Sequence, residues 1–176
     1  MFEKSTYINR RRKLKSNGLK GIGLFLGNID SPMNYRANTF HFRQDSSFLY
    51  FFGLDFPGLA AVIDFETGED FLFGDDVDIS DIIWMGPQIP LRENAAKVGV
   101  EYTYPYSKLF EFVSEALKKE RKVHFLPPYR GENKILLEKL TGISVHKVHE
   151  NASLQLIQAV IALRSVKEDA EIIEIE

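Results

Sequence analysis

The segment Phe48-Leu49-Tyr50-Phe51-Phe52-Gly53 decides the fold, because an unbroken aromatic and apolar run ends at a glycine turn. A stretch that is apolar at both odd and even positions is typical of a strand covered on both faces. We therefore predict that Phe48–Phe52 is a buried strand in the middle of a sheet. Leu59 to Phe65 and Asp70 to Phe73 follow after turns, so the three strands would form an antiparallel meander.

The sequence on either side of this segment alternates between strand and helix patterns. Gly21 to Gly27 predicts a strand, and Ser107 to Lys119 has apolar residues at helical spacing. Further strands are predicted at Val123 to Leu126 and Ser144 to Val148, and further helices at Ser5 to Asn17, Leu91 to Val98, Asn133 to Leu140 and from Ser153 onwards. Such alternation favours parallel pairing with helices on both faces. The predicted fold is a three-layer α/β domain with a mixed sheet between helices.

Length and composition fit one globular domain with its own core. The chain has 176 residues, of which 44% are hydrophobic and 12% aromatic, so it is neither disordered nor a multi-domain assembly. Cysteine is absent, which excludes disulfides, thiolate metal sites and a cysteine nucleophile. The sequence shows neither a signal peptide nor an apolar run that could span a membrane. We therefore expect a cytoplasmic protein without a membrane partner.

Charge is distributed unevenly along the chain. Residues 1–20 carry seven Lys or Arg and one acid, whereas residues 44–91 carry ten Asp or Glu and no Lys or Arg. Complementary charge of this kind favours pairing within the chain, or two chains meeting with opposite signs. The alternative is a nucleic-acid patch at Arg10, Arg11 and Arg12. The net charge of −3 argues against it, and we expect no nucleic-acid partner.

Motifs for metal binding or nucleophilic catalysis fail on spacing. The acidic residues Asp75, Asp76, Asp78 and Asp81 lack the glycine and glutamate of a calcium loop, so a solvated acidic loop is the better interpretation. His146 and His149 lack the further ligands that a metal centre requires. The sequence also has no Gly-x-Ser-x-Gly nucleophile motif. We predict no catalytic residue and no metal ligand in this chain.

The final residues suggest that a new helix begins. Ser165-Val166-Lys167-Glu168 has the pattern of a capping box, and it follows a helix that Ser153 can cap. The last turn carries Glu174 and Glu176, which oppose the helix dipole, and it has no glycine or proline stop. We expect that the natural polypeptide continues.

Several ordered motifs resemble the N-terminal domain of aminopeptidase P (Xaa-Pro aminopeptidase), in the creatinase/prolidase superfamily. The segment 43–53, followed by a proline-containing turn and the strand Ala60-Ala61-Val62-Ile63, is similar to the family signature Arg-Gln-x-Ser-x-Phe-x-Tyr-x-x-Gly. Three other segments match in order: Tyr7 to Arg12, Ile83-Trp84-Met85-Gly86, and Leu163 to Lys167 with Glu171-Ile172. The resemblance covers essentially the whole chain.

This resemblance implies a ribonuclease H-like fold for residues 1–163. Residues 164–176 would then start the first helix of a pita-bread catalytic domain that is missing here. In the family, that second domain holds two divalent ions, usually manganese, and a metal-bridging hydroxide attacks the peptide bond before proline. The resemblance places none of those ligands in this chain, so it implies a non-catalytic part of a metallopeptidase, without a cofactor of its own.

The resemblance also implies roles for particular residues. Trp84, the single tryptophan, matches a residue that approaches the substrate pocket of a neighbouring subunit; from composition alone it could equally be a core anchor or an interface contact. Arg43, Gln44, Asp45 and Ser46 are interpreted as a structural motif. The implied partners are the chain's own catalytic domain, further copies in a homodimer or homotetramer, and peptides with proline second. The alternative is a free-standing, catalytically inactive protein-binding module.

Overall fold

The structure, a computed structural model, describes residues 2–77, 86 and 88–175. Its strands are β1 (Ile22–Leu26), β2 (Pro32–Tyr35), β3 (Asn38–Thr39), β4 (Ala60–Asp64), β5 (Asp70–Phe73), β6 (Tyr102–Tyr104) and β7 (Val123–Phe125). Its helices are α1 (Lys4–Lys15), α2 (Ser46–Phe52), α3 (Leu91–Lys97), α4 (Lys108–Lys118), α5 (Gly131–Thr141), α6 (Leu154–Ser165) and α7 (Asp169–Ile175).

The main sheet has five strands in the order β6-β5-β4-β1-β7. β4 pairs antiparallel with both β1 and β5, whereas β7 and β6 add in parallel at the two edges. The predicted mixed sheet is therefore confirmed. Its antiparallel meander exists as well, although β1 is the first member in place of Phe48–Phe52.

Helices cover both faces of the sheet, and β4 shows how the sequence achieves this. All five β4 residues are buried. Ala61 and Ile63 pack into a cluster with residues of α1, α2, α3 and α6, whereas Ala60 and Val62 pack with residues of α4 and α5. Because successive side chains of a strand point to opposite faces, one apolar strand serves two cores. The predicted three-layer α/β arrangement is confirmed.

The prediction of a strand at Phe48–Phe52 is wrong, because these residues form helix α2. The Asp45 carboxylate caps the helix by accepting hydrogen bonds from the N–H groups of Ser47 and Phe48, both at 2.9 Å. Gly53 ends it in the left-handed conformation, with φ of 65°. Helical spacing buries Phe48, Phe51 and Phe52 together and leaves Leu49 38% exposed.

The strand predicted at Ser144–Val148 is also wrong. The N–H groups of Lys147 and Val148 both donate to the carbonyl of Ser144, which closes a turn in place of a sheet ladder. Strand β6 and the β2–β3 hairpin were not predicted. The helix expected at the Ser165 capping box begins later, at Asp169. The other predicted elements are confirmed within a few residues. Among the described helices, none has the length and apolar character needed to cross a membrane.

Candidate functional site

Gln44 of the signature segment, residues 43–53, fastens together three backbone segments. Its Oε1 accepts hydrogen bonds from the N–H groups of Asn28, at 2.7 Å, and of Asp45, at 2.9 Å. Its Nε2 donates to the carbonyls of Leu54, at 3.2 Å, and Phe56, at 3.0 Å. The buried amide therefore uses both its donor and its acceptor capacity to join the end of β1 to both ends of α2.

The start of α2 also contacts the end of α6. Arg164 Nη1 donates to Ser47 Oγ at 3.2 Å and to Ser46 Oγ at 3.4 Å. The Tyr50 hydroxyl donates to the carbonyl of Leu163 at 3.2 Å. Burial raises the pKa of Tyr50, so the hydroxyl keeps its proton for this bond. Two segments that sequence motifs singled out separately thus meet in space.

Arg10 links α1 to helix α7, and sequence reasoning did not predict this contact. Its Nε donates to Glu168 at 3.0 Å, its Nη2 lies 3.4 Å from Glu171, and its Nη1 donates to the carbonyl of Tyr50 at 3.0 Å. Lys13 also binds Glu168, at 2.8 Å. Burial alone would raise the pKa of Glu168, but the hydrogen bonds from Lys13 and Arg10 outweigh it and lower this pKa. Helix α7 is therefore held by charge-assisted contacts.

Arg11, the next residue, points into the core from the same helix. Its Nε donates to the Asp70 carboxylate at 2.8 Å, and its terminal nitrogens donate to the carbonyls of Phe51, Val98 and Gly99. Burial lowers the pKa of Arg11, and the charge of Asp70 opposes that shift. The pairing predicted within the chain, between its basic start and its acidic stretch, is thus seen at Arg11 and Asp70. Because Arg10 and Arg11 are buried, the cluster cannot present all three arginines to a nucleic acid.

Arg43, the first signature residue, lies outside the core. It is exposed and lines a surface groove of about 380 Å³ with His41, Tyr129 and Arg130. Its backbone carbonyl accepts a hydrogen bond from Asn28 Nδ2 at 2.8 Å. The structure thus brings Gln44, Asp45 and Ser46 into a bonded network and leaves the Arg43 side chain at the surface.

In the part of the acidic loop that the structure describes, Asp75 and Asp76 accept hydrogen bonds from backbone N–H groups at the start of other segments. Asp75 accepts from the N–H of Tyr106 at 2.9 Å, and Asp76 from the N–H of Leu91 at 2.6 Å. Asp78 and Asp81 lie outside the described residues. Trp84, the residue expected near a neighbouring subunit's pocket, also lies outside them.

Neither the described acids nor the histidines form a metal centre. Across residues 2–77, 86 and 88–175, no group of three or more His, Cys, Asp or Glu is close enough to hold an ion. His146 and His149 are exposed in turns after α5. The two histidines therefore belong to a surface turn.

His124 on β7 is a buried histidine that sequence reasoning missed. Its Nε2 lies 2.9 Å from the carbonyl of Lys20, and its Nδ1 lies 2.6 Å from Ser153 Oγ. Because a carbonyl only accepts, Nε2 carries the proton and Nδ1 accepts from Ser153. The same Ser153 hydroxyl caps α6 by accepting from the N–H of Leu156. Burial, with a smaller effect of the nearby Lys122 charge, lowers the pKa of His124 below 6.5.

We expect the fold to lose stability as the pH falls below about 6.5, the ordinary histidine pKa. The lowered pKa of folded His124 means that the unfolded chain binds more protons in this range. His124 therefore stabilises the native state fully above pH 6.5 and progressively less below it. Urea unfolding at intervals from about pH 7 to 5 measures the effect. His124→Gln should flatten this slope, and the exposed His146→Gln should retain it; equal slopes in both variants would contradict the assignment.

Comparison with known proteins relates this fold to one family. The family model of the aminopeptidase P N-terminal domain matches residues 7–124. The chain is 27% identical over 171 residues to the mitochondrial intermediate cleaving peptidase 55 of Arabidopsis thaliana. This match covers 94% of this chain and 34% of that protein. It is similar in structure to proline aminopeptidase P II from Yersinia pestis, with a TM-score of 0.76, 17% identity, and coverage of 98% of this chain and 41% of that one.

A second solved structure, Escherichia coli aminopeptidase P with the inhibitor Pro-Leu, gives a TM-score of 0.75 at 18% identity, covering 98% of this chain and 41% of that one. The chain thus spans about a third of the length of the curated relative. At these identities the structural matches establish the mixed α/β fold. The family model covers well over half of the chain. The chain therefore belongs to the aminopeptidase P N-terminal domain family.

Proposed function

We propose that this chain is the non-catalytic N-terminal domain of a Xaa-Pro aminopeptidase, which releases the residue before proline. Residues 1–163 form the domain, and residues 164–176 lead into a catalytic domain that binds two divalent ions, with manganese the expected metal. The relatives are peptidases by name, and the chain matches only 34% of one and 41% of another. These shares support a role as one part of a longer enzyme.

Helix α7 carries this proposal. It is anchored to α1 through Arg10 and Lys13, which contact Glu171 and the preceding Glu168. Apolar side chains in and just before α7 are nevertheless exposed to solvent: Val166 is 74% exposed, and Ile173 and Ile175 are each 75% exposed. An anchored helix with exposed apolar side chains is suited to receive another structural unit. The catalytic domain is the partner we propose for it.

Within that enzyme the domain supports assembly and shapes the substrate pocket. We propose a cytoplasmic homodimer or homotetramer that acts on peptides with proline as the second residue. Trp84 would contribute to the pocket of a neighbouring subunit. This role follows from its family match and from the enrichment of tryptophan at binding hot spots.

The purified 176-residue chain is expected to hydrolyse no Xaa-Pro peptide, with or without manganese. Manganese should also leave the melting temperature unchanged, because a ligand stabilises a fold only when a site for it exists. Peptide hydrolysis and thermal unfolding, each with and without manganese, test both statements. The same gene expressed with its downstream codons is the matched comparison, and it should cleave before proline. Metal-dependent cleavage by the chain alone would overturn the proposal, as would failure of the extended polypeptide to cleave.

A further inference from the structure

A small cavity lies at the carboxyl ends of the parallel strands β1 and β7. Its walls are mainly apolar, and its volume is about 40 Å³. A single water needs roughly 10–15 Å³ on such a measure, so two or three heavy atoms can enter. In α/β sheets, ligands bind outside the carboxyl ends of strands, where crossovers leave a crevice. The wall residues include Leu24, Leu26, Phe125, Pro127 and Leu137.

Asn133 is the polar side chain of this cavity that lacks a partner. It belongs to the first turn of α5, is only 8% exposed and lines the cavity. Within the described parts of the chain, its side-chain amide makes no hydrogen bond, although the buried Gln44 amide makes four. The amide atoms of Asn133 nevertheless keep some contact with solvent, so a ligand that enters the cavity can reach them and replace water as their hydrogen-bond partner.

Two other polar side chains, Tyr129 and Asp45, also line the cavity, and their hydrogen bonds and charge limit which ligand can bind there. The Tyr129 hydroxyl accepts from Asn28 Nδ2 at 3.1 Å, and burial, with a smaller effect of the nearby Asp45 charge, raises the pKa of this hydroxyl. Asp45 in turn caps α2. Tyr129 and Asp45 both line the cavity, so its rim carries a fixed negative charge beside the free amide of Asn133.

We propose that this cavity binds a primary carboxamide through Asn133. A carboxamide has three heavy atoms, and it offers a carbonyl to the Asn133 N–H₂ and an N–H₂ to the Asn133 carbonyl. A carboxylate would meet the Asp45 charge in an apolar pocket, and an ammonium ion would leave the Asn133 donors unpaired. The proposal is independent of any catalytic domain, because every group in it belongs to this chain.

The test uses propanamide as the probe, with propanoate and propylamine, which have the same three-carbon chain, as charged controls. In ¹⁵N-labelled protein, the side-chain amide resonances of Asn133 and the backbone amide resonances of Leu126 and Tyr129 should shift saturably with propanamide only, and the backbone resonances also report binding in variants that lack Asn133. Asn133→Leu should weaken binding by about tenfold or more, because both hydrogen bonds are lost, and should leave the fold intact. The exposed Asn151→Leu, which changes an asparagine outside the cavity, should bind as the native chain does. A parallel titration with N-acetylglutamine methylamide distinguishes a carboxamide carried by a peptide from a free one. The probe that saturates the resonance shifts at the lower concentration is the better ligand.

Asn133→Asp gives a second test that remains valid if the fold does not accept leucine at position 133. It removes the amide donors and adds charge, so preference should pass from propanamide to propylamine in its protonated form. The proposal is overturned if propanamide leaves the Asn133 resonances unchanged, if propylamine shifts them equally in the native chain, or if Asn133→Leu binds undiminished. In the first of these cases the cavity holds water alone; in the other two, binding does not depend on the Asn133 amide.

Discussion

Replacement of Arg11 by alanine is expected to lower the free energy of unfolding by about 3–5 kcal/mol. The guanidinium is buried, pairs with Asp70, and donates to three backbone carbonyls that lie in α2 and just after α3. Its removal leaves the Asp70 carboxylate without its buried partner and the carbonyls without donors. Urea unfolding monitored by circular dichroism measures the loss.

Arg12→Ala is the matched control, because the neighbouring arginine is exposed and should change stability by no more than about 0.5 kcal/mol. Asp70→Asn closes a double-mutant cycle. Because Arg11 and Asp70 are in direct contact, their losses should be less than additive. Equal effects of Arg11→Ala and Arg12→Ala would contradict the buried position of Arg11.

Phe51→Ala is expected to lower the free energy of unfolding by about 3–5 kcal/mol as well. Phe51 is fully buried, and its ring lies 5.2 Å from that of Phe25 on β1 and 4.9 Å from that of Tyr50. Truncation removes these contacts and leaves a cavity between α2 and the sheet. Equilibrium unfolding in urea, with circular dichroism as the signal, gives the difference directly.

Leu49→Ala serves as the control for Phe51 and also tests the secondary structure. In a strand, positions two apart share one face, so Leu49 and Phe51 would be buried together. In α2 they point to different sides, and Leu49 is 38% exposed. We expect Leu49→Ala to cost much less than Phe51→Ala. Comparable losses at the two positions would support a strand and contradict the helix.

The sequence predicted most of the sheet and most of the helices, and α2 shows where pattern reasoning fails. Strand and helix cannot be told apart by periodicity in a short segment that is apolar on every side. The deciding signals were Asp45 before the apolar run and Gly53 after it, a helix cap and a left-handed stop. The apolar composition outweighed them in the prediction. The turn at residues 144–148 was mistaken for a strand for a similar reason.

The candidate site was only partly predictable. Gln44 and Asp45 could be found because they belong to a recognisable motif. Asn28 could not, since its contact with Gln44 Oε1 joins residues 16 positions apart in the chain. The partners of Arg10 could not be predicted either, because Glu168 and Glu171 lie more than 150 residues away in the chain. Contacts of this range follow from the packing of α1 against other elements and leave no local pattern.

The adjacent arginines of α1 also restrict how this helix can vary in length. Arg10 reaches towards α7, and Arg11 reaches towards β5 and the residues after α3, from consecutive positions. Each residue of an α-helix turns the chain by about 100°, so one residue inserted between Tyr7 and Arg10 would rotate both guanidinium groups relative to Tyr7. If Tyr7 keeps its buried position, Arg10 could then no longer reach Glu168, and Arg11 could no longer reach Asp70. The N–H of Phe2 donates to the Tyr7 hydroxyl at 3.0 Å, so extra residues leave this geometry unchanged only ahead of Phe2. Added sequence is therefore tolerated before α1 and excluded from its middle.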